Sequence, residues 1–204
     1  MDFNKEYFQK MYPKDGYIDG DFNAREHAAY LKGLFGLMEQ DVKSIVDFGF
    51  GKGELLHHVS KAFEAKKVEG LDVSTFAYNN LKKKTFAQGW KLHVCPVHEA
   101  PGKAVFDLGL SNSVLQYIED RHIEATLQRM AEKVKFLYFH VPTKEDYGVL
   151  KKVLDFKDPY AKQRSNRFYQ EHVAKYFTIV AWGVLESKIH GRKGTPFTDS
   201  FYRI

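Results

Sequence analysis

Ser44–Leu56 reads SIVDFGFGKGELL: a short apolar run at Ile45 and Val46, an acid at Asp47, glycines at 49, 51 and 53, and an apolar helical pattern opening at Leu55 and Leu56. That order predicts a strand, a glycine turn and a helix. Alternating glycines remove the Cβ atoms that hold a ligand away from the backbone, and the turn delivers free N–H groups at the positive end of the following helix. Dinucleotide folds also use a glycine loop, but their G-x-G-x-x-G pattern counted from Gly49 requires a glycine at position 54, where this chain has Glu54.

A second stretch stands in register with the first. Val68–Asp72, VEGLD, has a strand pattern that ends in an acid 19 residues after Gly53, with Ser74 as the cap of a further helix. An acid at the end of the second strand can accept hydrogen bonds from both ribose hydroxyls of an adenosine, which makes Asp72 the expected ribose residue.

From Asp47 the pattern D-x-G-x-G-x-G resembles the cofactor loop of class I S-adenosylmethionine (SAM) dependent methyltransferases, with Phe50 where a cysteine often sits. Phe106–Asp120, FDLGLSNSVLQYIED, resembles the fourth motif of that family, with Gln116 and Tyr117 in the places of an acid and a histidine. Asn112 is followed by Ser113 and Val114, not by the two prolines of the base-modifying amino-methyltransferases. Cys95-Pro96 has the wrong order and the wrong strand for a cytosine-C5 nucleophile. In the segment from Cys95 to Pro101, Pro96 replaces the usual acid, so the adenine is expected to meet the backbone N–H of Val97 or His98 and an apolar wall from Val73 and Val97.

The resemblance covers about residues 44–204. It implies a three-layer α/β/α sandwich, a Rossmann-like and mostly parallel seven-stranded sheet in the order 3-2-1-4-5-7-6 with the seventh strand antiparallel. It further implies SAM as cofactor and S-adenosylhomocysteine (SAH) as product. The cofactor contacts implied are Arg25, Asp47, Gly49, Phe50, Gly51, Gly53, Asp72, Val73, Val97, His98, Ser111 and Asn112. Arg25 is included because it matches in position an arginine that some small-molecule methyltransferases set against the cofactor carboxylate, where a guanidinium forks onto two oxygens.

At 204 residues the chain is long enough to bury a core without disulfides or metals, and no metal is expected. It has no apolar run of membrane-spanning length and its start lacks the apolar centre of a signal peptide, so a cytoplasmic location without membrane contact is expected. The single Cys95 reads as a buried, reduced thiol. Residues 1–143 hold 19 Lys and Arg against 19 Asp and Glu, and residues 144–204 hold 12 against 7. The net charge of +5 is therefore C-terminal, but its lysines and arginines are interspersed with acids, which does not favour nucleic acid as a partner.

Residues 1–43 are expected to form an aromatic and helical cap ahead of a SAM-binding domain at 44–204. Asn23 with Glu26 has capping-box spacing, and Ala24, Ala28, Leu31, Phe35 and Met38 fall on one helical face. The aromatic density of residues 1–22 suits a lid, with Tyr7, Tyr12 and Tyr17 as wall residues for the substrate. Later elements are a helix striped by Ile123, Leu127, Met130 and Val134, a strand from Phe136 to Val141, a helix over 144–157 and a helix capped by Ser165 or Asn166. Closing strands are expected over 178–185 and 197–204. For catalysis His140, at the end of strand 5, is the expected base and Tyr117 is expected to orient the acceptor. The leading reading is methyl transfer to an oxygen or nitrogen of a small molecule. An RNA or protein methyltransferase and a non-catalytic SAM-binding module are the alternatives.

Overall fold

Ile45, Val46, Asp47 and Phe48 send alternate side chains to opposite faces of one strand, and both faces are buried. Such a strand needs helices on both sides. The computed structural model describes residues 3–11, 21–155 and 158–191. In chain order these form α1 (Lys5–Met11), α2 (Asp21–Leu37), β1 (Ser44–Phe48), α3 (Glu54–Phe63), β2 (Lys67–Asp72), α4 (Thr75–Leu81), β3 (Lys91–Val94) and β4 (Phe106–Asn112). There follow α5 (Asp120–Lys133), β5 (Val134–His140), α6 (Lys144–Leu154), α7 (Asn166–Tyr176), β6 (Phe177–Ala181) and β7 (Val184–Ser187). The sheet order is β3-β2-β1-β4-β5-β7-β6, parallel except for β7, which runs antiparallel to both β5 and β6.

Each face has its own core. Ile45, Leu108, Phe136 and Tyr138 pack under α1, α2, α3 and α4 through Tyr7, Leu31, Leu56 and Ala77. Val46, Phe48, Phe106 and Leu137 pack under α5 and α7 through Ile123, Leu127, Tyr169 and Val173. The strand order reverses between β1 and β4, which opens a crevice beyond their carboxyl ends, where ligands bind in open α/β sheets.

Several boundaries differ from the sequence reading. Helix α2 starts at Asp21, not at a cap on Asn23, because Asp21 stands at the positive end of the helix and pairs with Arg25 one turn on and with His58 of α3. Val134 belongs to β5, which follows α5 with no loop between them. Helix α6 stops at Leu154, with Asp155 in the left-handed region. Cys95 lies just past β3 and is half-buried. The run over 178–185 is not one strand: Gly183, at φ 64°, turns the chain after Trp182, so β6 and β7 form a tight hairpin. The strand expected over 197–204 lies outside the described residues.

Gly109 lies in the middle of β4 with no space for a side chain: an added Cβ would stand 2.7 Å from Val134 Cγ1 and 3.0 Å from Phe48 Cε2. Gly109→Ala is expected to destabilise the protein by about 1–3 kcal/mol through overpacking, seen as a lower urea midpoint with an unchanged slope.

Candidate functional site

The glycine loop leaves β1 at Phe48 and is held against β2, since the N–H groups of Gly49 and Phe50 both donate to the Leu71 carbonyl, at 2.7 and 3.2 Å. Gly49 sits at φ 116°, and a Cβ there would strike Val114 Cγ2 at 2.5 Å. Gly51, at φ 52°, is different: an added Cβ would meet nothing within 4 Å, so its bare backbone faces open space. Gly53 caps α3, whose first-turn N–H groups point toward that space. Phe50 is buried, and its ring fills the position beside Gly70.

Two adjoining cavities meet at Gly49, Gly51 and Asn112. The smaller is walled by α2 through Asn23, Ala24 and His27 and by the loop with Asp47 beneath it. Asp47 is 3 % exposed and has no hydrogen-bond donor among the described residues. Burial, and then the nearby charge of Asp72, hold its carboxyl well above the usual carboxylate range. A buried acid without a donor suits a ligand that brings a cationic N–H group.

The larger cavity, about 340 Å³, runs along the ends of β2, β3 and β4. Asp72 closes one side, accepting from the Gly51 N–H at 2.9 Å and from the Ser74 N–H at 2.8 Å, one bond to each carboxylate oxygen. Burial raises its pKa, and these backbone bonds oppose the rise. Each oxygen keeps a lone pair for a hydroxyl. Val73 and Val97 supply apolar wall, and the His98 ring stacks on His122 at 4.5 Å with only 10° between the planes. Cys95 lines the same end, its thiol pushed up mainly by burial.

The N-terminal residues line the cavity on the other side. Phe3, Tyr7 and Phe8 line it, and Ser74 Oγ donates to the Phe3 carbonyl, tying the cap to the turn after β2. Tyr117, in the turn after β4, accepts a hydrogen bond from the Tyr7 hydroxyl at 3.0 Å and donates to Asp158 Oδ2 at 2.6 Å. Its phenol is pushed far up, first by burial and then by these two neighbours.

The cavities thus bring together Asp47, Gly49, Phe50, Gly51, Gly53, Asp72, Val73, Val97, His98, Asn112, Tyr7 and Tyr117. Arg25, Ser111 and His140 are not brought in. Arg25 is exposed and paired with Asp21. Ser111 is fully buried inside the sheet, and its hydroxyl has no hydrogen-bond partner among the described residues. His140 pairs in register with Asn112, but its ring turns to Trp182 and His27 and lines a separate cleft beside α7. Tyr12 and Tyr17 lie outside the described residues. Asn23, His27, Glu119, His122 and Asp158 line the site or support it, and the sequence reading gives none of them a site role, naming Asn23 only as a helix cap. Only Glu119 and His122 had a signal, being one helical turn apart where a helix opens just past the fourth motif.

Residues 45–135 match the family model described as a methyltransferase domain. No curated protein matches the chain by sequence. Among solved structures, the magnesium protoporphyrin IX methyltransferase of Synechocystis with bound SAH matches with a TM-score of 0.61 and 18% identity, over 88% of this chain and 87% of that one. The N-methyltransferase NodS of Bradyrhizobium japonicum in complex with SAH gives 0.66 and 13%, over 90% and 97%. A SAM-dependent methyltransferase of Clostridium acetobutylicum gives 0.65 and 14%, over 83% and 85%. At these identities the likeness is one of fold.

The buried state of Asp47 has a consequence for stability. Its folded pKa lies above the unfolded value of about 3.9, so between the two the native state holds a proton that the unfolded chain has lost. Its contribution therefore falls as pH rises across that window. Asp47→Asn is expected to flatten this part of the profile and to stabilise the ligand-free protein at neutral pH by on the order of 1–3 kcal/mol, measured by urea unfolding at a series of pH values.

Proposed function

We propose that this protein moves a methyl group from SAM to an oxygen or nitrogen of a small molecule, because residues 45–135 match the methyltransferase-domain model and the sheet has the order that the class I SAM-dependent resemblance implies. The observation that carries the small-molecule reading is the cavity itself. It is of ligand size, it is walled on one side by the cap residues Phe3, Tyr7 and Phe8, and no Lys or Arg lines it among the described residues. A nucleic-acid substrate calls for an open basic surface.

The residues fit the cofactor. Asp47 would take the ammonium group, Asp72 the two ribose hydroxyls, the open backbone of Gly51 the methionine chain, and Val73, Val97 and His98 the adenine. Arg25 and Ser111 are not assigned contacts, since neither reaches the two cavities. Bound there, SAM supplies a methyl group already activated by its sulfonium charge. What the chain adds is placement and the exclusion of water. Asn112 and Tyr117 stand where an acceptor would be oriented, and residues 3–11 act as its lid. His140 faces a neighbouring cleft, so no proton transfer is routed through it here.

Asp72→Ala is expected to weaken SAM binding by about 2–3 kcal/mol in calorimetry, because a charged acceptor is lost from two hydroxyls and the Gly51 N–H loses its partner. Binding as tight as wild type would remove the ribose assignment. For the reaction, SAM with an isotopically labelled methyl group is incubated with the protein and either a metabolite extract or an RNA and protein extract. Label is expected in the metabolite fraction, and label confined to the macromolecules would overturn the small-molecule reading.

A further inference from the structure

Phe3, Tyr7 and Tyr117 meet like the three walls of a box corner. Their planes stand 89°, 77° and 88° apart and their centroids lie 4.9 to 6.2 Å from one another. All three line the larger cavity. Ring faces arranged this way present negative quadrupole potential from several directions, which attracts a cation and offers nothing to an anion.

The polar groups behind the corner have the same preference. Asp158, 5 % exposed, accepts from the Tyr117 hydroxyl at 2.6 Å and from the Tyr160 N–H at 2.9 Å, and no Lys, Arg or His among the described residues pairs with it. An ionised carboxylate only accepts, so it fixes the direction of the whole chain: Tyr7 donates to Tyr117, and Tyr117 donates to Asp158. The Tyr117 proton is therefore committed, and its oxygen can only accept. Among the described residues a carboxylate or phosphate would find no donor at the Tyr117 oxygen, whereas an N–H would find an electron-rich acceptor. The charged side chains lining the cavity, Asp72 and Glu119, are acids, in a protein whose net charge is +5.

We propose that this corner binds the methyl acceptor as a cationic amine, which makes the reaction an N-methylation. The inference rests on the methyl-transfer reading above. It commits to an alkyl or arylalkyl amine, whose ammonium lies among the three rings with an N–H on the Tyr117 oxygen. Before its lone pair can react, the ammonium gives one proton to that oxygen as the phenol passes its own proton to Asp158. The net change is a neutral amine, a neutral carboxyl and an unaltered Tyr117. Asp158 thereby acts through Tyr117 as a positioning residue and proton sink.

The test uses the full chain saturated with SAH, so that binding is read without turnover. Tetramethylammonium is titrated against neopentyl alcohol, and benzylamine against benzyl alcohol, by calorimetry. Each cation is expected to bind about tenfold or more tightly than its neutral isostere. Asp158→Asn should cut that preference to about threefold or less while SAH affinity stays within about twofold. Phe3→Leu, which removes one ring and leaves the hydrogen-bonded chain alone, should lower the cation preference as well, and it stands in if Asp158→Asn does not fold. Equal binding of the isosteres, or a preference that survives both substitutions, would overturn the inference. Exchange of SAH for methyl-labelled SAM then separates the two readings. Label on an alcohol or phenol without cation preference defeats the amine site and keeps methyl transfer. Cation preference with no label on any small molecule keeps the amine site and defeats methyl transfer.

Discussion

The hydrogen bond from the Gly51 N–H to the Asp72 carboxylate joins the loop after β1 to the end of β2, and the geometry of the site depends on it. The parallel pairing of β1 with β2 sets the two ends side by side, with Phe48 opposite Leu71. The Leu71 carbonyl then holds Gly49 and Phe50, and Asp72 holds Gly51, so the loop turns with its bare backbone outward. Val114, from the turn after β4, packs where a Gly49 side chain would stand, which locks the third neighbour in place. One acid thus serves twice, as the clamp of the loop and as a wall of the cavity.

The electrostatic character of the site follows from burial. Asp47 and Asp72 are placed on adjacent strands at the open end of the sheet, where desolvation disfavours the charged form of each and the nearby Asp72 adds to the effect at Asp47. Such an arrangement lowers the stability of the empty protein and raises its affinity for a ligand that carries positive charge. Asp158 is buried on the cap side, where it accepts from a hydroxyl and an N–H and has no basic partner among the described residues. A ligand that brings positive charge offsets the cost of ionising these buried acids.

Much of this was legible in the sequence because it is local. Three glycines, a strand before them and an acid at the end of the next strand are separated by short, regular distances, and the strand order that the family resemblance implied is the one observed. Features made by contact between distant segments were not legible. Asp158 lies 41 residues from Tyr117 and carries no motif, and the stacking of His98 on His122 depends on α5 packing beside the turn after β3. His140 was addressed by strand position alone. The parity of β5 puts it on the face of Tyr138, where the hairpin turn at Trp182 and Gly183 draws its ring aside. The hairpin itself was hidden because Trp182 continues the apolar run and only Gly183 interrupts it.

Asp47, buried and without a hydrogen-bond donor among the described residues, is expected to become charged when a cationic cofactor arrives. Calorimetry of SAM binding at a series of pH values rising from the ordinary carboxylate range, in two buffers of different ionisation enthalpy, reads the number of protons exchanged. Because the empty protein holds the Asp47 carboxyl well above its ordinary range, binding is expected to release protons, and Asp47→Asn is expected to abolish that release. Binding with no buffer dependence, or a release that persists in Asp47→Asn, would contradict the claim.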